Sequence, residues 1–451
     1  MEQNKMGTAR VSTLMLKMGL PMILSMVLQA FYNVVDSYFV AQMPNGEVGV
    51  TALTLAFPIQ LLMIAIGVGT GVGINALLSR SLGAGERERA SRIAGNAIIL
   101  GICTYIVFLF IGIFGVGAYL RSQTADAAVI EMATEYLRIC TIISFGAILS
   151  MIYEKLLQGV GRTTFSTIAQ LAGAVTNIIL DPIMIFGWLG CPKMGIAGAA
   201  WATVIGQIVT FVMSAYLHHA KNRDLDTGLK HLKPQGKTIA EIYKIGIPAI
   251  IMQALMSIMT YGANIILGGI SDAAVTAYGV YYKLQQFIFF AAFGMNNALI
   301  PIIGFNFGMR DRARVRDGIK FGLIYTLVIM ALGTLAFQAF APKIIGVFTL
   351  SAETETLAVT TIRVVTIGYL FAGANITFQG IFQAFGDGVK SLIVSALRLI
   401  VIALPLLWVL SRTANAAQNA WWAFPIAEVA AAVVAVALYR KVWRNVGASV
   451  Q

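Results

Sequence analysis

Twelve apolar runs, each long enough to cross a hydrocarbon core, follow one another along the chain at roughly 14–41, 51–79, 93–119, 132–158, 165–188, 195–219, 241–269, 276–306, 318–340, 356–383, 389–410 and 420–443. About 20 apolar residues span a bilayer as a helix. In lipid, every backbone polar group must be satisfied inside the structure, so runs of this kind fold as helices and not as open sheets. The sequence therefore predicts an all-α integral membrane protein with 12 transmembrane helices. Composition agrees: 58% of the residues are hydrophobic and only 12% charged, against about 25% charged in an average soluble domain. That excludes a disordered chain, a disulfide-stapled secreted module and an ordinary cytosolic enzyme. The first run is too long for a cleavable signal and carries Asp36, so it reads as a span.

The net charge of +12 acquires meaning from its location. With the N-terminus placed in the cytoplasm, 24 of the 32 Lys and Arg fall in inner loops or the inner parts of spans and six in outer loops or the outer parts of spans, while Lys283 and Arg398 are set apart as intramembrane cations. This positive-inside bias predicts a multi-pass protein of the cytoplasmic membrane with both termini inside. The basic charge is thus a topology signal, and no nucleic-acid partner is expected. The charged clusters after spans 2 and 8, Glu86 to Arg89 and Arg310 to Arg314, read as short inner turns whose charges pair at helix ends. Cys103, Cys140 and Cys191 have neither a pairing framework nor metal-ligand spacing. No Gly-x-x-x-x-Gly-Lys-Ser/Thr loop is present, so ATP does not drive the chain through a site of its own.

An internal repeat organises the spans. At a shift of 225, Thr51-Ala52 falls on Thr276-Ala277, Gln60 on Gln285, Gly83 on Gly308, and Glu86, Arg87 and Arg89 on Asp311, Arg312 and Arg314. At 227, Lys17-x-Gly19-x-Pro21 falls on Lys244-x-Gly246-x-Pro248. Each copy holds six spans, so both enter the membrane from one side and form parallel repeats, as in many secondary transporters. The expected organisation is an N-terminal lobe at 1–219, a basic cytoplasmic linker at 220–240 and a C-terminal lobe at 241–451.

Charges inside a span are costly, about 2.5–3.5 kcal/mol for an aspartate on insertion scales, and they mark function by default. Asp36 and Asp181 both fall roughly 10 Å below the outer surface at 1.5 Å per residue. Gln29, Asn33 and Asp36 make one stripe on span 1, Asn177 and Asp181 one on span 5, and Thr203 lies at the same level on span 6. Oxygen ligands of this kind suit a hard monovalent cation, and two nearby carboxylates can equally share a proton. Asp36 and Asp181 map onto Ala263 and Leu406, so the second half lacks the set. There Lys283 and Glu428 fall at matched depth and are expected to pair, with Arg398 nearer the middle of its span; a structural role is favoured over a direct substrate role. The 19 Met and the aromatic side chains read as packing surface or as an adaptable cavity wall.

Gly19-Leu-Pro21 to Gln29-Ala-Phe-Tyr-Asn33-Val-Val-Asp36, Asn177-Ile-Ile-Leu-Asp181-Pro182-Ile-Met-Ile-Phe-Gly187, Gly198-Ala-Ala-Trp-Ala-Thr203 and Pro301-Ile-Ile-Gly-Phe-Asn306-Phe-Gly308 together resemble the multidrug and toxic compound extrusion (MATE) family, in its DinF-like and MepA-like branches. The resemblance covers nearly the whole chain. It implies an antiporter, and no enzyme, in which entry of sodium or protons drives export of amphiphilic, often cationic drugs from between two six-helix lobes. It carries the ion-coupling role onto Asp36, Asn177, Asp181 and Thr203, the set where a sodium ion would sit. It also carries a hinge in the first span onto Pro21. No cofactor is implied beyond the coupling cation, and a monomer is the default because two halves already make a pathway. Unlike the NorM-like branch, spans 7 and 10 lack acids beyond Glu241 and the loop-end Glu353 and Glu355, which disfavours a second-lobe sodium site. Two rival readings are a lipid-linked glycan or polysaccharide flippase, which would want a more cationic cavity, and an intramembrane aspartate-dyad enzyme, which Asn177 and Thr203 fit less well than ion ligation.

Overall fold

A computed structural model describes residues 4–44, 46–348 and 350–449, and among them every regular element is helical. The chain runs through α1 (Lys5–Thr8), α2 (Val11–Ala41), α3 (Gly46–Gly83), α4 (Arg87–Gln123), α5 (Ala127–Ile142), α6 (Phe145–Gly159), α7 (Thr163–Phe186) and α8 (Ile196–Lys221). It continues through α9 (Gly236–Gly268), α10 (Asp272–Gly308), α11 (Arg312–Phe348), α12 (Ala352–Ala384), α13 (Gly388–Leu410) and α14 (Ala416–Arg444). Eleven of these are long and apolar enough to cross a membrane, and the bent pair α5–α6, broken by 45° where Ile143 leaves helical geometry, supplies a twelfth crossing. The architecture is the all-α, twelve-span one that the apolar runs predict.

Local chemistry sets the helix ends. Asp126, Ser271, Asp311, Ser351 and Asp387 each cap a helix by accepting a hydrogen bond from a first-turn amide, which satisfies a donor the helix cannot. Prolines 21, 58, 182, 248, 301 and 342 lie inside helices. Such interruptions persist in membrane helices because neighbouring groups re-satisfy the freed carbonyls. A π-helical turn occupies Leu397–Val401 in α13, closed by the Ile402 amide donating to the Leu397 carbonyl at 3.0 Å.

The chain forms two compact units, one comprising Leu24–Tyr243, the other the residues up to Ile23 together with Lys244 onward. The first has its cores around Val40, Ala56, Tyr136, Leu137 and Ile185, and around Ile74, Leu78, Ile93 and Leu156. The second is built on Tyr278, Phe289, Phe337, Tyr369, Trp421 and Phe424.

Of the two charged turns expected to pair at helix ends, the one after α3 does so and the one after α10 forms no ion pair among the described residues. Arg89 bonds Glu86 at 2.9 Å and Glu241 at 3.0 Å. Its repeat mate Arg314 instead holds the start of the chain, donating to the carbonyls of Met6 at 2.9 Å and Ala9 at 2.8 Å, and to Asn306 Oδ1 at 2.7 Å. The polar segment after α8 is anchored to the Leu24–Tyr243 unit. Arg87 donates to the carbonyl of Arg223 at 2.6 Å, the Asp226 amide to Ser91 Oγ at 2.8 Å, and the Gln235 amide to Asn96 Oδ1 at 2.8 Å.

Candidate ion-coupling site

The Leu24–Tyr243 unit holds α7 and α8 at close range because glycines meet at their crossing. A Cβ on Gly173 would collide with Thr210 and with the Gly206 carbonyl; one on Gly206 would lie 2.8 Å from the Gly173 carbonyl and 3.0 Å from Asn177 Cβ. Small residues permit such approach, and dispersion between closely packed helices is what holds them in lipid. The crossing places Asn177 against α8, one turn from Thr203.

Asp181 is fully buried, Asn177 nearly so, and Thr203 is 9% exposed. Asn177 Nδ2 donates to Asp181 Oδ1 at 3.2 Å. Asp36 and Gln29 are half-buried on α2, and Asp36 lies within electrostatic range of Asp181. The side chain of Asn33 lies outside the described residues. Three buried oxygens here have no protein hydrogen-bond donor: Asp36 Oδ1, Asn177 Oδ1 and Asp181 Oδ2. A buried acceptor left unpaired costs roughly 1–3 kcal/mol, more if charged, so the set is chemically incomplete on protein groups alone. Two carboxylates with an amide oxygen fit a monovalent cation or a proton. Among the described residues no three His, Cys, Asp or Glu side chains gather, as a carboxylate-rich divalent site would want.

Sequence reasoning missed the wall beside Asp36. Tyr136 and Cys140, both buried on α5, lie within electrostatic range of Asp36, and Gln60 Nε2 on α3 donates to the Tyr136 hydroxyl at 3.3 Å. The signal was present, since Gln60 is a repeat position. Its mate Gln285 also binds a tyrosine, accepting from the Tyr281 hydroxyl at 2.6 Å.

In the other unit, the expected Lys283–Glu428 pair is replaced by a different one. Glu428 accepts from Arg398 Nε at 2.9 and 3.0 Å and from Arg398 Nη2 at 2.6 Å, and a further bond comes from Asn375 Nδ2 at 2.7 Å. Lys283 is exposed on α10. Arg398 lies within the π turn, is only 7% exposed and meets Glu428 on α14. Depth alone, the basis of the expectation, does not report which way a side chain faces.

Outside the spans, Asp226 organises the anchored segment. Lys230 at 2.6 Å, the Gly228 amide at 2.9 Å and His231 at 3.2 Å hold its carboxyl well below the usual carboxylate range, and Asp226 in turn raises Lys230.

The MatE family model matches the chain twice, over residues 21–183 and again over 248–409. The chain belongs to the MatE family. The two matches repeat at the offset visible in the sequence. Among curated relatives, the multidrug export protein MepA of Staphylococcus saprophyticus is 27% identical over 94% of this chain and 92% of its own length. MepA of Staphylococcus aureus strain bovine RF122 is 26% identical over the same shares. The fold of this MatE protein matches that of a multidrug resistance MATE family transporter solved in an outward-facing conformation, at a TM-score of 0.93 and 22% identity, with 99% of each chain covered. It is a multi-pass membrane protein with a transporter fold.

Proposed function

We propose that this MatE protein is a cation-coupled antiporter of the cell membrane, with both termini cytoplasmic, that exports amphiphilic and often cationic compounds by alternating access. The observation that carries the reading is the trio of buried, unpartnered oxygens on Asp36, Asn177 and Asp181. A sodium ion or a proton supplies the positive charge they want, with Thr203 as a further oxygen at that depth and Gln29 deeper on the same stripe of α2. The export names carried by its MepA relatives support the substrate class.

The coupling follows from charge. With the site empty of cation, the carboxylates repel each other and favour the conformation that binds drug. Loading neutralises them, α2 changes course near Pro21, and the drug is released outward. An ion shifts such an equilibrium only by binding the two states differently, and α2 is suited to sense it because Asp36 and Pro21 share one helix. A monomer suffices for this scheme.

The test is dye export from energised vesicles under separately imposed sodium and proton gradients. The Asp36→Asn/Asp181→Asn double variant is expected to lose gradient-driven export while remaining folded. Near-normal coupled export by that variant would overturn the assignment.

A further inference from the structure

α11 opens with Arg312, Arg316 and Lys320 at i, i+4 and i+8, all exposed. They form one stripe of about 12 Å running from the helix start into the membrane-spanning segment. Arg440, Lys441 and Arg444 are exposed near the end of α14. The Arg312 guanidinium lies over the Trp443 ring, 5.8 Å from its centroid, which joins the two groups into one patch. None of these six cations enters an ion pair among the described residues. Like charges at i, i+4 destabilise a helix, so the stripe is unfavourable without an outside counter-charge.

The internal repeat shows what the same face does elsewhere. The equivalents of Arg312, Arg316 and Lys320 are Arg87, Ser91 and Gly95 on α4. There the stripe is covered by chain: Arg87 and Ser91 bind the backbone of residues 223–226, and the His231 carbonyl lies where a Cβ on Gly95 would be. In α11 the small residues that admit a covering strand are replaced by Arg316 and Lys320. The face is therefore built to be covered in one copy and charged in the other.

We propose that the α11 stripe and the α14 cations bind the headgroup of an anionic phospholipid. A lipid fits better than a soluble anion because the stripe descends into the span and is flanked by Phe321, Tyr439 and Trp443, with Lys320 over the Phe321 ring at 5.7 Å and Tyr439 stacked on Trp443 at 6.0 Å. Tyrosine and tryptophan settle at headgroup level, and long cationic side chains lay their stems on apolar surface while their heads reach the phosphates. The site is independent of the ion-coupling carboxylates.

Native mass spectrometry of the purified full chain, titrated with phosphatidylglycerol or phosphatidylcholine, tests the proposal. Phosphatidylglycerol should bind in preference, and Arg316→Gln/Lys320→Gln should weaken it about 10–30-fold, as expected for two juxtamembrane cations, with phosphatidylcholine unchanged. Arg316→Lys/Lys320→Arg should restore wild-type affinity, and Lys320→Gln alone should lose about a third to a half as many decades if the double variant fails to fold. Unchanged phosphatidylglycerol affinity in the glutamine variants would refute the site. So would an equal loss in Lys343→Gln/Arg363→Gln, whose cations lie elsewhere on α11 and α12, or displacement of the lipid by millimolar inorganic phosphate, which would make it a soluble-anion site.

Discussion

Removing Glu428 alone should be far more damaging than removing Glu428 and Arg398 together. The pair is held by three N···O contacts of 2.6–3.0 Å plus the Asn375 bond, with the arginine 7% and the glutamate 14% exposed. Glu428→Leu leaves a guanidinium buried and unpaired, which costs about 3–5 kcal/mol. For a chain this long that is a fall in melting temperature on the order of 5 °C, since the shift per kcal/mol shrinks with size. In Arg398→Met/Glu428→Leu both charges and their desolvation cost disappear together. Replacing a buried pair by apolar residues of similar volume is typically neutral or stabilising by about 1–4 kcal/mol. Asn375 loses little, because its Nδ2 also donates to the main-chain carbonyl of Glu428, at 2.9 Å in the wild-type protein. The double variant should therefore melt near wild type, with a coupling energy of about 3 kcal/mol or more across the cycle. Thermal unfolding in detergent measures it, and vesicle export by the double variant should persist if the pair is structural. Additive losses, or an unchanged melting point in Glu428→Leu, would refute the reasoning.

Three further outcomes follow from the packing and the charges. Gly206→Val should separate α7 from α8 at the Gly173 crossing and displace Asn177; a loss of about 1–3 kcal/mol in stability and of coupled export is expected, against little effect of the same change at Gly117, beside which nothing packs. Tyr136→Phe removes the hydroxyl that Gln60 binds beside Asp36, and should weaken cation affinity about fivefold, the worth of one neutral hydrogen bond, as read by ion-dependent quenching of tryptophan fluorescence. Asp226 has a folded-state pKa held below its unfolded value, so its tie to Lys230 and His231 is complete above the ordinary carboxylate range near pH ~4 and fades as pH falls below it. Hydrogen exchange over residues 222–235 should accelerate only in that acid window, while Asp226→Asn should accelerate it at neutral pH; equal protection in that variant would contradict the anchoring role.

Much of this molecule is legible in its order of residues, because lipid forbids what water tolerates. A span must be apolar for its whole length, so the crossings announce themselves, and Asp36 and Asp181 stand out as carboxylates the bilayer would otherwise reject. The repeat is equally visible, since related residues recur at one offset whatever they touch. Depth along a helix is countable too, at a fixed rise per residue. Rotation about the helix axis is not, for a π turn such as Leu397–Val401 changes it without a marked change in sequence pattern. Packing decides which side chains meet, so Arg398, and not Lys283, meets Glu428, and Gln60 and Tyr136 emerge as neighbours of Asp36 only once α3 and α5 are packed. Spans, repeat and forbidden charges were determined by the sequence itself through the transfer cost of each residue; partners were decided by tertiary structure, because the direction a side chain faces depends on the whole helix and on what lies against it.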